Sequence, residues 1–140
     1  MRFLLLLPLL FTSCSNFDSE WRQNREAGGG RSAFPQRWEG EWKSQKHAGA
    51  GGALRCLLTK VDERQYRARF RASWLVFTSD QNVLLQTRRT GAALHLQGAH
   101  QISGFGGGLY RYRGKVNQSR FDATYDASYD SGIFTMRPAP

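Results

Sequence analysis

Residues 109–129 read LYRYRGKVNQSRFDATYDASY, and the fold follows from how that stretch is read. Tyr110, Tyr112, Gly114 and Val116 alternate with Arg111, Arg113 and Lys115. After a polar break, Phe121, Ala123, Tyr125, Ala127 and Tyr129 alternate with Asp122, Thr124, Asp126, Ser128 and Asp130. Successive side chains of a strand point to opposite faces, so period two with rings and small residues on one side marks a half-buried strand. Phe121, Tyr125 and Tyr129 also stand at helical spacing, but a helix would set Ala123 and Ala127 beside aspartates without an apolar stripe. The strict alternation decides for strand. A two-residue turn at Asn117-Gln118 makes the pair a hairpin, with Gly114 facing Phe121, Tyr112 facing Ala123, Tyr110 facing Tyr125 and Arg113 meeting Asp122.

The same period runs outward in both directions. Trp38 and Trp42 flank Gly40 on an opening strand, and Tyr66, Ala68, Phe70 and Ala72 oppose Arg67, Arg69 and Arg71. A turn at Thr90-Gly91 sets Leu85 on Leu96 and Thr87 on Leu94. A three-residue loop at Asp62-Glu63-Arg64 sets Leu58 on Ala68 and Cys56 on Phe70, which leaves Leu57 exposed and calls for a bulge nearby. The chain turns again at 129–132 and returns with Phe134 and Met136 inward. This gives about eight strands: 38–44, 53–61, 65–74, 82–89, 92–102, 109–116, 119–128 and 133–137. Short loops join nearly all of them, so the fold predicted is all-β, an up-and-down antiparallel meander. Eight such strands close into a barrel and remove their exposed edges. No segment outside the first residues reads as a helix of useful length.

The N-terminus is of another kind. Arg2 precedes nine residues without a polar side chain, Phe3 to Phe11, followed by Thr12, Ser13 and Cys14. This is the order of a secretory signal, and the apolar run falls short of the roughly 20 residues that span a bilayer. Residues 1–13 are therefore read as a signal peptide. Residues 14–36, with Gly28-Gly29-Gly30 and Pro35 and no sustained apolar period, are read as a flexible tether in which Trp21 touches either a lipid interface or the domain itself. The domain proper is 37–140.

From Cys14 onward 19 basic and 11 acidic residues remain, a net charge of +8. Such a surface favours anionic partners, lipid head groups or acidic glycan, and nucleic acid is the least available of these outside the cytoplasm. The stripes Arg67-Arg69-Arg71 and Arg111-Arg113-Lys115 are the candidate anion-binding surface; the competing reading is the wet face of two strands. The inward rings are numerous enough to argue for a filled core, with any pocket at one mouth. Trp38, Trp42, Tyr110, Tyr112 and Phe105, which sits in the Gly104–Gly108 cluster, are the candidate ligand-binding residues.

Neither glycine cluster, 49–52 or 104–108, leads into a helix with Gly-Lys-Ser/Thr, so both read as inter-strand loops rather than phosphate cradles. His47, His95 and His100 have no metal-site spacing, so no metal or cofactor is expected. There is no G-x-S-x-G, and Asp122, Asp126 and Asp130 read as a solvated row answering the arginines of the neighbouring strand. Cys56, between Leu54 and Leu58, reads as a buried free thiol.

Two resemblances extend this reading. Leu10 to Cys14 resembles the lipobox of bacterial lipoproteins, in which the chain is cut before the cysteine and its thiol is acylated. That implies an exported protein lipid-anchored at Cys14 to the cell membrane or the outer membrane. Gly40-Glu41-Trp42 on the first strand of an eight-stranded meander is similar to the lipocalin-like barrels, which implies a small ligand held in the barrel. The domain also resembles small bacterial envelope proteins beginning W-x-G-x-W. Leu54-Arg55-Cys56, the run 106–112 (GGGLYRY) and Ala123-Thr124-Tyr125 match them, and no activity is implied. The function expected is that of a membrane-anchored, non-enzymatic envelope lipoprotein binding a small apolar or anionic molecule or another envelope protein. The alternative is a hydrolase with its site at the barrel mouth near 104–108 and His47.

Overall fold

A computed structural model describes residues 16–26, 34–103 and 107–140. Cys14, residues 1–13 read above as a signal peptide, Gly28-Gly29-Gly30 and Phe105 lie outside the described residues. One helix, α1 (Asn16–Glu26), precedes eight strands: β1 (Arg37–Ser44), β2 (Gly51–Asp62), β3 (Gln65–Trp74), β4 (Phe77–Thr90), β5 (Ala93–Ile102), β6 (Gly108–Val116), β7 (Phe121–Asp126) and β8 (Ser131–Pro138). Each strand pairs antiparallel with the next, and β1 pairs with β8 from Trp38↔Pro138 to Ser44↔Gly132, which closes the barrel. The meander and its closure agree with the sequence reading.

The inward faces agree as well, while two hairpin registers differ from those predicted. β6 and β7 pair as Val116↔Phe121, Gly114↔Ala123 and Tyr112↔Tyr125, two residues from the predicted register, across a four-residue turn. Asn117 causes it: its Oδ1 accepts from the amides of Ser119 and Arg120, both at 2.8 Å, so the side chain organises a longer turn than Asn-Gln alone would make. Lys115, not Arg113, therefore faces Asp122. β4 and β5 pair as Thr87↔Leu96 and Thr90↔Ala93, again two residues away, around Gly91-Ala92. Gly91 has φ 60°, so it occupies the first central position of the turn, where the sequence reading had set it second. A slip of two keeps every side chain on its face, which is why the core was still read correctly. The β2–β3 register is as predicted, Leu58↔Ala68 and Cys56↔Phe70, with the bulge between Lys60 and Asp62.

The barrel has two unlike ends. At one, Phe34 and Trp38 plug the interior. Trp38 is fully buried, its ring meets Phe121 edge-on at 5.7 Å, and its indole N–H donates to the Pro35 carbonyl at 2.7 Å. The opposite end, where β1, β3, β5 and β7 finish, is the mouth. There β3 and β4 are joined by Leu75-Val76, and Leu75 has φ 54°. A non-glycine residue in the left-handed region costs about 1–3 kcal/mol.

Helix α1 corrects the expectation of a helix-free tether. It has only two large apolar side chains facing the barrel, Phe17 and Trp21, four apart and stacked at 5.7 Å. They lie on outward arginines: Arg71 is 4.7 Å and Arg55 5.3 Å from the Phe17 ring, and Arg37 is 4.8 Å from the Trp21 ring. Asp18 meets Arg71 at 2.9 Å, and Glu20 pairs with Arg69. Phe17 is only 2% exposed. Leu57, predicted to be exposed, is buried: it stands on the outer face between Arg37 and Arg69, and both of these reach the helix. Tyr129, predicted inward, is exposed because β7 ends at Asp126 and the chain is already turning.

Cys56 is fully buried in the core as a free thiol, and burial pushes its pKa well up. In a Cys14→Ser background the native protein is therefore expected to resist thiol reagents, with labelling of Cys56 following global unfolding in denaturant; fast labelling of the folded protein would contradict the burial. For the helix, Phe17→Ala is expected to raise deuterium exchange across 16–26 to nearly unprotected rates while β2 and β3 stay protected. Arg71 holds the Asp18 carboxyl below its ordinary pKa, chiefly by hydrogen bonding. A lowered folded pKa means that this contribution is present above about pH 4 and lost as pH falls through the folded value, so acidification should expose the helix before the barrel.

Candidate functional site

Alternation sends rings from β1, β3, β6, β7 and β8 into the mouth half of the barrel. Phe70 stacks on Tyr112 at 5.9 Å, Tyr125 on Phe134 at 5.1 Å and Tyr110 on Tyr125 at 6.1 Å, with Trp42 edge-on to Tyr125 at 6.5 Å. Offset and edge-on contacts let aromatic quadrupoles pack without filling space evenly, and between them lies a cavity of about 230 Å³. Leu54, Ala72 and Ile102 complete its apolar wall, and Ser79, Gln81 and Asp130 supply its polar groups.

The polar groups at the rim are organised by small residues. Tyr125 donates its phenol to Asp130 Oδ2 at 2.9 Å, and Ser44 donates its hydroxyl to Asp130 Oδ1 at 2.6 Å. Asp130 thus turns into the mouth, which corrects its assignment to the solvated aspartate row. Gly132 makes this possible, since a Cβ there would collide with the Tyr125 hydroxyl and the Lys43 carbonyl. Gly52 does the same for Trp42, whose indole N–H donates to the Ser73 carbonyl at 2.9 Å, on the spot a Gly52 Cβ would take. Burial raises the pKa of Tyr112 and Tyr125, and for Tyr125 the hydrogen bond to Asp130 adds to it. Both phenols are neutral donors across the physiological range.

One wall is less tightly built. Backbone pairing between β4 and β5 covers only Gln86–Thr90 against Ala93–Gln97. Toward the mouth β4 stays on β3 and β5 stays on β6. Side chains bridge the seam: His100 Nε2 lies 2.8 Å from Gln81 Oε1, and Gly98 lets Leu85 close in below. Gln81 belongs both to this bridge and to the cavity wall.

Of the candidate ligand-binding residues, Trp42, Tyr110 and Tyr112 line the cavity. Trp38 is at the plugged end and takes no part. Sequence reasoning left Leu54, Phe70, Ala72, Tyr125 and Phe134 among the core residues without assigning them to the site, and missed Ser79, Gln81, Ile102 and Asp130; Asp130 lies in a turn, where face parity gives no guidance. The arginine stripes separate. Arg69 and Arg71 are engaged by Glu20, Asp18 and Asp80, the last at 2.7 Å and 3.1 Å in a two-pronged pair. Arg67, Arg111, Arg113 and Lys115 are exposed.

Ser44, His47 and Asp130 meet at the mouth, where their bonding can be compared with that of a serine nucleophile. A nucleophilic serine needs a histidine as its base, with the carboxylate behind the histidine. Here the serine proton goes straight to the carboxylate, while the His47 ring bonds the Tyr129 carbonyl at 2.9 Å. From His47 it is the backbone amide that donates to Ser44 Oγ, at 2.9 Å. That wiring fixes the loop without activating the serine. Among the described residues no cluster of His, Cys, Asp and Glu is placed to hold a metal ion.

Tyr125→Phe should cost about 1 kcal/mol by urea denaturation at neutral pH, the usual net worth of a hydrogen bond. Because the folded phenol pKa values are raised, their contribution is full below about pH 10 and lost as pH climbs through the folded values. Stability should fall on the alkaline side, less steeply in Tyr125→Phe; identical alkaline limbs would refute the role given to Tyr125.

No family model, no curated protein and no solved structure matches the chain.

Proposed function

We propose that this protein is a non-enzymatic binding barrel of the cell envelope, exported and held at a membrane by acylation of Cys14, that takes up a small apolar molecule at its mouth. The observation that carries the binding reading is the aromatic cavity of about 230 Å³ with Asp130 at its rim. A dry engineered cavity of ~150 Å³ holds benzene, so this one suits a compound of one or two rings or a short branched chain. Among the described residues its lining contains a carboxylate and no Lys or Arg. Aromatic faces and a carboxylate repel anions and favour a neutral or cationic end with hydrogen-bond donors. The occupant is therefore read as an apolar molecule with a donor or amine group. The anionic ligand also expected from the sequence would be confined to the outer surface. Support for the anchor is the lipobox-like run from Leu10 to Cys14, after a short apolar segment too brief to span a bilayer.

Titrating the protein with a panel of small aromatic amines, alcohols and carboxylates is expected to quench or shift indole fluorescence for the amines and alcohols. Ala72→Trp, which fills the cavity, should abolish the response. Equal response to carboxylates, or an unaltered one in Ala72→Trp, would refute the pocket reading.

A further inference from the structure

The two ends of the barrel differ in what they show to solvent. At the plugged end the connections are Glu63-Arg64, Gly91-Ala92 and Asn117–Arg120, all polar or small. At the mouth, β3 and β4 are joined through four consecutive apolar residues, Trp74, Leu75, Val76 and Phe77. Leu75 is 80%, Val76 91% and Phe77 65% exposed, and Trp74 and Phe77 stack at 6.4 Å to form the neck of the hairpin. Leu109 and Tyr129, also exposed, lie at the same end of the barrel.

Nothing in the barrel asks for apolar residues at this tip. The positive φ of Leu75 with a negative one at Val76 is the pattern of a turn that prefers glycine first and a small polar residue second. The chain instead sets leucine in a conformation that suits it poorly and exposes valine almost completely. Strain of this kind persists where the side chain serves something outside the fold.

We propose that the hairpin tip Trp74–Phe77 inserts into the interface of a lipid bilayer and holds the barrel mouth against the membrane. The tip is a narrow convex wedge, a shape suited to a deformable apolar medium. Trp74 at its base has the amphipathic ring that settles at head-group level. The chain's net charge of +9 attracts an anionic leaflet, and Asp80, the acid nearest the tip in sequence, is paired with Arg71. Helix α1 runs the same way: its first turn meets Arg55 and Arg71, nearer the mouth, and Trp21, further along, reaches Arg37 at the far end of β1. The chain thus enters its first described element from the mouth side. The inference does not rest on the cavity having a ligand.

The test uses the full chain with Cys14→Ser, so that no acyl chain contributes, and vesicles of mixed zwitterionic and anionic phospholipid. The expected result is co-sedimentation at low salt that survives in part at high salt. Brominated lipid should quench indole fluorescence, and this quenching should be lost in Trp74→Phe. Leu75→Gly combined with Val76→Ser suits the turn better, so it should fold at least as stably and leave ligand titrations in lipid-free buffer unchanged, yet lower the partition coefficient at least tenfold. Unchanged partition in that variant overturns the proposal. So does binding that vanishes wholly with salt, which would assign adsorption to the arginines. Sedimentation showing a lipid-free dimer that the same double variant dissociates would make a second copy the occupant, and also overturns it.

Discussion

Closure of the sheet is the constraint on which everything else depends. Once β1 pairs with β8 there is no edge, and the interior has the fixed bore of eight strands. That bore is narrow enough for side chains to fill. The inward side chains of this sequence fill the half nearest Trp38 and leave the other half short by about 230 Å³. The difference lies in the residues. In the core with Trp38 and Phe121 the strands bring branched aliphatics, Leu58, Leu85 and Val116, all nearly fully buried. Toward the mouth they bring planar rings, whose offset stacks leave gaps, and small Ala72 and Ser79. Packing one end and opening the other is thus a matter of side-chain shape within a single backbone cylinder.

Outside the cylinder the governing interaction is between arginine and the helix. Four outward guanidinium groups, on Arg37, Arg55, Arg69 and Arg71, are met by two rings and two carboxylates of α1. An 11-residue helix with so few apolar side chains would not persist alone in water. It is held because the arginines, which on a bare sheet would repel each other across β2 and β3, gain a partner of opposite charge and a polarisable face. In the stripe Arg67-Arg69-Arg71, Arg69 and Arg71 are answered by the chain's own Glu20 and Asp18.

What the sequence disclosed, and what it withheld, follows from the same physics. Face parity was legible because a strand alternates with period two whatever its partner, so Tyr112, Tyr125 and Phe134 were placed inward without knowing their neighbours. Register was legible between β2 and β3 but not in the hairpins at Asn117 and Gly91, because those turns are decided by side-chain hydrogen bonding and one φ angle, and a two-residue slip is silent to alternation. Helix α1 was illegible because cation–π and ionic docking requires no apolar stripe: Phe17 and Trp21 in a run of charges look like a linker. Asp130 escaped for a related reason. It lies beyond the last paired residue of β7, where alternation lapses and hydrogen bonds to Tyr125 and Ser44 decide its direction.

The electrostatics of the molecule divide by depth. The chain carries +9, yet the cavity is lined by rings, two neutral amide or hydroxyl groups and one carboxylate. A field that draws anions to the outer surface is of no help inside a wall whose nearest fixed charge is Asp130, held by Tyr125 and Ser44. A phenol that donates to a carboxylate in a half-buried site is itself kept neutral, so the pair does not discharge the rim by proton transfer at physiological pH. The surface and the cavity therefore select opposite chemistries, and an anion drawn to the outer surface does not compete for the pocket. The apolar hairpin lies at the same end as the opening, and there the β4–β5 seam is bridged among the described residues by side chains, Gln81 to His100 and Leu85 beside Gly98, instead of by backbone pairing.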